Sequence, residues 1–593
     1  MYKIGDNIIS SLGFTTEENF ANVKRGVSGV KHYDAGTFDL PEAFMASLID
    51  RERLNDEFYR HCGLDSQSPN YTDFEKAAIL SVSTANQEVK IDLSNENVLF
   101  ILSSTKGNVD WLGNVVGALR ATPLHAPFLP LYLWHTATLI TSFFGNKNTP
   151  LVVSNACISG AAAQIAAMRE LENGYYDYAV VVGVDFLSKF IISGFQSFKA
   201  LSPEICRPFD KDRCGLNLGE AAATIIFSCV ETEHAPSLQC GAIRNDANHI
   251  SGPSRTGEGS FRALKSILST IENRTPEIAF INAHGTATSY NDAMEAVAIT
   301  RSGLENVPVN SLKPYFGHTL GAAGVLESII SLKALQNNII LPTLNFNSQD
   351  IENQINISKE IQKTDKRYFI KMLSGFGGCN AALLFSYKNE NPYHSRQETS
   401  RQETLYIKKQ CSLKFYNSTE ITEFYRSLQV DYPKFFKMDN LSKLGFLASE
   451  MIFSGDSCFR KNDGAGREDI AVICFNRSSS LEIDTKYQET IQDNENYFPS
   501  PSLFVYTLPN IITGEIAIRN KFFGETSFYV AEKSDAEQIY RTVKNSFSDK
   551  NTNFALVAWA ESFKNTFEIK MFLITKEKTD DLFDVNCLNF NCL

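Results

Sequence analysis

From Met1 to about Tyr387, short apolar runs alternate with helix-length segments. Val98–Leu102, Leu151–Val153, Tyr178–Val184, Ala222–Phe227, Ile278–Ala283 and Ala381–Ser386 read as strands. Most are continuously apolar, the pattern of strands buried on both faces, so the spacing predicts an α/β domain with a helix-covered sheet. Ile158–Leu171 and Gly321–Leu335 read as helices rich in Ala and Leu, with small residues in their first turns that permit close packing.

Composition bounds the function. The 593 residues are 43% hydrophobic and 21% charged, which supports real cores and excludes a disordered chain. The formal charge of −12 argues against nucleic acid as a main partner. No apolar run reaches a membrane span, and MYKIGDNIISSLG lacks the features of a signal peptide, so a cytoplasmic enzyme is expected. The 12 cysteines are scattered, with no CxxC pair and no His at zinc-finger spacing, so no metal-ligating cluster is expected.

After Tyr387, KNENPYHSRQETSRQET is polar and repeats SRQET in tandem, the composition of an exposed linker over 388–404. Residues 405–593 then echo the beginning of the chain. ENVLFILSS (96–104) aligns with EDIAVICFN (468–476), and APFLPLYLWHTATLI (126–140) with FPSPSLFVYTLPNII (498–512). Phe143-Phe144-Gly145 aligns with Phe522-Phe523-Gly524, and YAVVVGVD (178–185) with FALVAWAE (554–561). Four blocks in one order predict a diverged copy of the first half-domain. The loop after Leu151–Val153 reads SNACISGAAAQI, whereas its counterpart reads AEKSDAEQI, so a catalytic first site implies a non-catalytic second one.

In LVVSNACISGAAAQI a buried strand ends, small residues turn the chain, and a helix begins near Ile158. Cys157 is thereby placed at a helix amino terminus, where unpaired N–H groups and the macrodipole lower a thiol pKa. A buried structural cysteine is the plainer alternative. His284 follows a strand in INAHGTATSY, and His318 lies in a Gly-flanked turn of KPYFGHTLGAAG, five residues after Lys313. Either alone suits a structural role; both at element ends, among only nine histidines, point to chemistry. LSGFGGCN carries three glycines around Phe376, which let backbone approach a ligand.

NACISG, RPFDKDRCGLNLGEAAA, NAHGTAT, KPYFGHTLGAAG and SGFGGCN, in this order over residues 1–387, resemble β-ketoacyl-acyl-carrier-protein synthases of the elongating, Cys-His-His type. The resemblance implies a thiolase-like five-layered α/β/α/β/α sandwich, with halves at 1–235 and 236–387. Residues 405–593 would add a degenerate half. It further implies that Cys157 is the acylated nucleophile and that His284 and His318 are the paired active-site histidines. Lys313 would order that site together with Glu327 on the following helix. Backbone N–H groups of Cys157 and Phe376 would form the oxyanion hole, with the Phe376 ring as gate. Thr286 and Thr288 would hold the phosphopantetheine arm.

The sequence departs from the family's pattern at Cys214 and Glu220-Ala221-Ala222-Ala223, near the site floor, and at Leu373-Ser374-Gly375 ahead of the gate. In SSTKGNVDW, which falls where the family builds its acyl pocket, Lys106 is a candidate lining residue or a solvated lysine. Arg207, Lys211 and Arg213 are candidates for a basic patch facing an acidic acyl carrier protein. The expected activity is decarboxylative condensation of an acyl chain with malonyl-carrier thioester. Its setting would be type II fatty-acid or polyene/polyketide synthesis, with a fused extra half tilting toward secondary lipids such as aryl polyenes. No cofactor beyond carrier-borne phosphopantetheine is expected. The expected assembly is a homodimer or a heterodimer with another synthase-like chain. The alternative is a non-catalytic chain-length-factor-like partner.

Overall fold

The computed structural model describes residues 1–62, 71–119, 126–230, 235–271, 274–387, 404–454, 459, 466–564 and 566–588. Residues 388–403 of the expected linker lie outside them. Ten strands of one large sheet precede that segment: β1 (Tyr2–Ser10), β2 (Val98–Ser103), β3 (Leu151–Val153), β4 (Tyr178–Asp185), β5 (Ala221–Ser228), β6 (Ser237–Asn245), β7 (Ile278–Asn282), β8 (Val309–Asn310), β9 (Tyr368–Gly375) and β10 (Cys379–Ser386). Six follow it: β11 (Tyr406–Phe415), β12 (Ile470–Asn476), β13 (Thr526–Val530), β14 (Phe554–Phe563), β15 (Thr566–Thr575) and β16 (Asp581–Leu582).

Fifteen of these strands build one five-stranded unit three times, and β16 pairs on the outer edge of β11. The orders are β3-β2-β4-β5-β1, β8-β7-β9-β10-β6 and β13-β12-β14-β15-β11. In each, the first three neighbours are parallel and the last two join antiparallel. The strands of two aligned blocks, 96–104 with 468–476 and 178–185 with 554–561, therefore hold corresponding places. Their terminal acids do as well. Asp185 accepts from Ser104 Oγ (2.7 Å) and Thr105 N (3.0 Å) in the loop after β2. Glu561 accepts from Ser478 Oγ (2.7 Å) and the Arg477 N–H in the loop after β12.

Helices Ser159–Glu172 and Ala323–Gln336 form the buried layer between the first two units. Nearly every residue of both is inaccessible, which explains their lack of a polar stripe. Their contact is set by glycine: a Cβ on Gly324 would lie 2.4 Å from the Ala161 nitrogen, and one on Gly160 2.9 Å from the Gly321 carbonyl oxygen.

The first and third units meet edge to edge. Val153 of β3 pairs antiparallel with Tyr529 of β13, and Ser154 N donates to Phe528 O at 3.1 Å. Beside this seam, buried Arg169 forms a bidentate pair with Glu525 at 3.0 and 2.7 Å. β3 therefore has neighbours on both sides, β2 and β13. Among the described residues the third unit has no counterpart of the second unit against it. Its helix Ala536–Ser546 is covered instead by the last described segment, whose Phe583 and Leu588 are buried, Phe583 stacking on Tyr540.

Candidate active site

The chain leaves β3 through Ser154 and Asn155, forms a single 3-10 turn at Ala156–Ile158, and enters helix Ser159–Glu172. Ala156 sits at φ 48°, in the left-handed region, a conformation that costs a non-glycine residue about 1–3 kcal/mol and clusters at functional sites. Surrounding bonds hold it there: Asn155 N donates to Ser159 Oγ (2.8 Å), Ser159 Oγ to Ala156 O (2.6 Å), and Asn155 Nδ2 to Thr526 O of the third unit (2.9 Å). The result presents Cys157 to a cavity.

Cys157 Sγ and ring nitrogens of His284 and His318 lie within 4.8 Å of one another. Residues 157, 284 and 318 thus meet from three separate segments, and the two imidazoles stand edge to face at 5.0 Å. Three donors of metal-ligating type therefore meet without any motif spacing. Among the described residues, this trio alone groups such donors, and sequence spacing cannot show it.

Burial governs ionisation. It pushes the Cys157 thiol up to about 12, Lys313 opposing and Asp185 adding to the effect. The helix end is where the sequence places it, but desolvation outweighs the pull of the Lys313 ammonium, so the resting thiol is protonated at neutral pH. Burial also holds His284 and His318 well below the usual imidazole range, helped in both by Lys313 and Lys371. Both rings are neutral at neutral pH. Leu320 N donates to His318 Nδ1 at 3.3 Å, leaving the ring proton on Nε2, which is buried with no partner among the described residues. His284 Nδ1 is likewise buried and unpartnered. The loop carrying His284 is fixed by Glu295, which accepts from the backbone N–H groups of His284 and Gly285, both at 2.7 Å.

Behind the histidines lies a fully enclosed charge network. Lys313 pairs with Glu327, and Glu327 pairs on its other oxygen with Lys371 at 2.5 Å. Burial works upward on the Glu327 carboxyl, but the two ammoniums outweigh it and hold it low. Lys371 also donates to Met372 O (2.9 Å) and Ala283 O (3.3 Å), tying β9 to the strand end that presents His284. Burial pushes Lys371 down to about 8. Sequence reasoning does not single out Lys371; a lone lysine inside the apolar run YFIKML is the available signal. Asp185 is a second omission. It takes Gly321 N at 2.6 Å and so joins the end of β4 to the turn after His318.

The cavity measures about 810 Å³ and is walled by Cys157, His284, His318, Thr286, Thr288 and Phe376 among others. The Thr286 and Thr288 hydroxyls lie 2.9 Å apart. The glycine turn reaches the elbow closely: a Cβ on Gly375 would sit 3.2 Å from the Cys157 nitrogen. The third unit joins the wall through Phe504, Thr507 and Leu508. Phe504 packs on Phe195 and Phe198, which flank the Phe376 ring. Asn510 Nδ2 donates to Phe376 O at 2.8 Å, so the third unit also braces the expected gate.

Other expectations are redistributed. Lys106 lines the cavity but is buried, not solvated. Cys214 lines it as well, whereas Glu220 is enclosed away from it, accepting from Ile49 N, Leu187 N and Arg51. Arg207 and Arg213 are paired with Glu204 (2.8 Å) and Asp350 (2.6 Å), and neither they nor Lys211 border the cavity; Lys199 and Arg255 do. Among the described residues no helix is long and apolar enough to cross a membrane.

Two family models match: beta-ketoacyl synthase, N-terminal domain, over residues 5–232, and beta-ketoacyl synthase, C-terminal domain, over 236–347, together more than half of the chain. A "3-oxoacyl-[acyl-carrier-protein] synthase 2" of Staphylococcus aureus is 26% identical over 415 residues, covering 64% of this chain and 99% of the relative. A "Putative polyketide beta-ketoacyl synthase 1" of Streptomyces halstedii is 28% identical, covering 57% and 90%. Among solved structures, a beta-ketoacyl synthase from Burkholderia phymatum superposes with a TM-score of 0.55 at 25% identity, over 65% of this chain and 99% of that one. "PfaC Keto synthase-Chain length factor" superposes with a TM-score of 0.74 over 98% of this chain and 79% of that one, at 14% identity, a likeness of fold alone.

Proposed function

Because the chain belongs to the beta-ketoacyl synthase family and has its thiolase-like fold, we propose that residues 1–387 catalyse decarboxylative condensation of an acyl chain with a malonyl thioester. The observation that carries this reading is the convergence of Cys157, His284 and His318 in the wall of a largely apolar cavity.

In the first step Cys157 Sγ attacks the acyl thioester carbonyl and its proton passes to a neutral imidazole. Backbone N–H groups of Cys157 and Phe376 receive the oxyanion, each donor contributing a few kcal/mol. The carrier thiolate leaves and takes up that proton. In the second step the malonyl C–C bond breaks, carbon dioxide departs, and the electron pair enters an enolate. His318 Nε2–H and a His284 N–H donate to the enolate oxygen. Neutral rings suit this role because each retains a proton to donate without adding a buried charge. The enolate carbon attacks the acyl carbon on Cys157, the C–S bond breaks, and the thiolate released takes a proton from water to restore the thiol. The proposed chemistry assigns no metal ion to the trio and no cofactor beyond the phosphopantetheine that carries the substrates, held at Thr286 and Thr288.

The donor of both thioesters is proposed to be an acyl carrier protein, an acidic partner that would meet Lys199, Arg255 and exposed Tyr290 at the cavity mouth. The third unit is proposed to be non-catalytic, since its elbow carries no thiol, and to occupy the edge of β3 in place of a separate partner chain. Any further copy then has to dock elsewhere. The test is direct. Full-length protein incubated with acyl-carrier thioesters should gain the acyl mass on Cys157, then release carbon dioxide and β-ketoacyl product when malonyl-carrier is added. Absence of both Cys157 acylation and carbon dioxide release would point instead to the non-catalytic chain-length-factor-like reading.

A further inference from the structure

Lys371 has no part in the chemistry proposed above and does not border the cavity. It sits in the middle of β9, fully enclosed, in a run that is otherwise apolar. Phe369, on the same face of the strand, stacks on Phe280 and Phe385 at 5.2 and 4.9 Å. A methionine or leucine would fill that place without losing hydration, whereas an enclosed ammonium must be compensated by its neighbours. Packing alone gives no reason for a charge here.

The contacts of Lys371 supply one. It forms an ion pair with Glu327 Oε2, while Lys313 holds Oε1 of the same carboxylate. Its ammonium also reaches the carbonyl oxygens of Met372 (2.9 Å), Ala283 (3.3 Å) and Asn282 (3.5 Å). An ammonium has three N–H donors, so none is left for a ligand. Asn282 ends β7, and Ala283 leads directly into His284. Lys371 thus joins three segments that build the site: β9, the strand end before His284, and the helix after His318 that carries Glu327.

The charge count matters as much as the contacts. Lys313 and Glu327 alone would be neutral; with Lys371, two ammoniums share one carboxylate and leave a net positive charge behind the imidazoles. Glu295, His284 and His318 are the other ionisable groups that face Lys371. Glu295 spends its oxygens on the N–H groups of His284 and Gly285. Burial pushes its carboxyl up to about 7, with Asp292 beside it adding to the effect, so at neutral pH it offsets only part of the charge. An enclosed positive charge favours an enolate oxygen over the neutral carbonyl that precedes it, and disfavours imidazolium.

Resting on the condensing-enzyme reading above, we propose that Lys371 is a positioning residue for the decarboxylation step. It seats the strand end that presents His284 and supplies the excess buried positive charge that stabilises the enolate.

The test compares full-length wild-type protein with Lys371→Met, which keeps the bulk but not the charge, and Lys371→Gln, which keeps an N–H donor without charge. Two rates are followed: acylation of Cys157 by acyl-carrier thioester, and carbon dioxide release from malonyl-carrier. Both variants should slow carbon dioxide release by about tenfold or more at pH 7, with acylation within about threefold of wild type. In wild type, carbon dioxide release should also fall as pH rises through about 8, where Lys371 loses its proton; both variants should lack that decline. Unchanged carbon dioxide release in both variants overturns the proposal. Equal losses in the two half-reactions, or recovery of the wild-type rate in Lys371→Gln, would mark a merely structural lysine and overturn it as well. If neither variant folds, the wild-type decline near pH 8 decides: its absence overturns the proposal. Wild-type protein that releases no carbon dioxide at all defeats the condensing reading and this proposal together, whereas variants that match an active wild type defeat this proposal alone.

Discussion

Two elbows stand on the same strand order and end differently. After β13 the chain reaches Asp535, whose carboxylate accepts from the N–H groups of Glu537 and Gln538 and caps helix Ala536–Ser546. After β3 the helix Ser159–Glu172 has no side-chain cap, Ala156 is held at a left-handed φ, and Cys157 occupies the turn. One elbow satisfies its own helix end; the other forgoes a cap and accepts strain to present a thiol. Local stability and chemical availability compete for the same first-turn geometry, and the two copies resolve that competition in opposite ways.

The comparison can be broken most forcefully at the sulfur. Cys157→Ala should cut condensation by more than about 10⁴-fold in a product-release assay, because the proposed chemistry carries the acyl chain on that sulfur beside both imidazoles. Substantial residual turnover would move the nucleophile elsewhere. Next in size, His318→Ala should slow carbon dioxide release from malonyl-carrier by about 10²–10³-fold while acylation of Cys157 stays within about tenfold of wild type. Equal losses in both half-reactions would contradict a role specific to the enolate.

The ionisation of the first elbow makes a sharper distinction. With the thiol pushed up to about 12, Cys157 is protonated at neutral pH. Iodoacetamide labelling should therefore rise about tenfold per pH unit between about pH 7 and pH 10 without levelling off. A plateau in the ordinary thiol range would mean that the helix end prevails over burial. Because both histidine pKa values are lowered, the rings stay neutral as pH falls from about 8 to about 6, and single-turnover acylation should not decline there through their protonation. The smallest effect belongs to the second elbow. Asp535→Ala should cost about 1 kcal/mol in a urea melt, with condensation unchanged. A loss of activity would show that the third unit's elbow communicates with the site.

Much of the architecture was legible because the signals are local. Unbroken apolar runs at 98–102, 151–153 and 178–184 match strands to within a residue or so. The helices expected at 158–171 and 321–335 begin slightly later, each preceded by a short 3-10 turn that tightens the approach to Cys157 or follows His318. Tyr2–Ser10 is harder to see because Gly5 and Asp6 interrupt its apolar run, and only pairing with β5 makes it a strand. Within the site, the small residues around Cys157 and the glycines beside His284, His318 and Phe376 are visible marks of tight turns. Lys371 and Asp185 carry no such mark, since each looks like an isolated polar residue at or within an apolar segment.

By itself the sequence determined the strand and helix pattern, the elbow, and the identities of the reactive side chains, all of which depend on residues adjacent along the chain. Only the tertiary structure decided that β13 closes the edge of β3, that Lys106 meets a carboxylate 378 residues away, and that the thiol rests protonated between neutral imidazoles. These outcomes are set by which groups lose water and which charges they then face. That balance is struck by the folded surroundings as a whole rather than by any short stretch of chain.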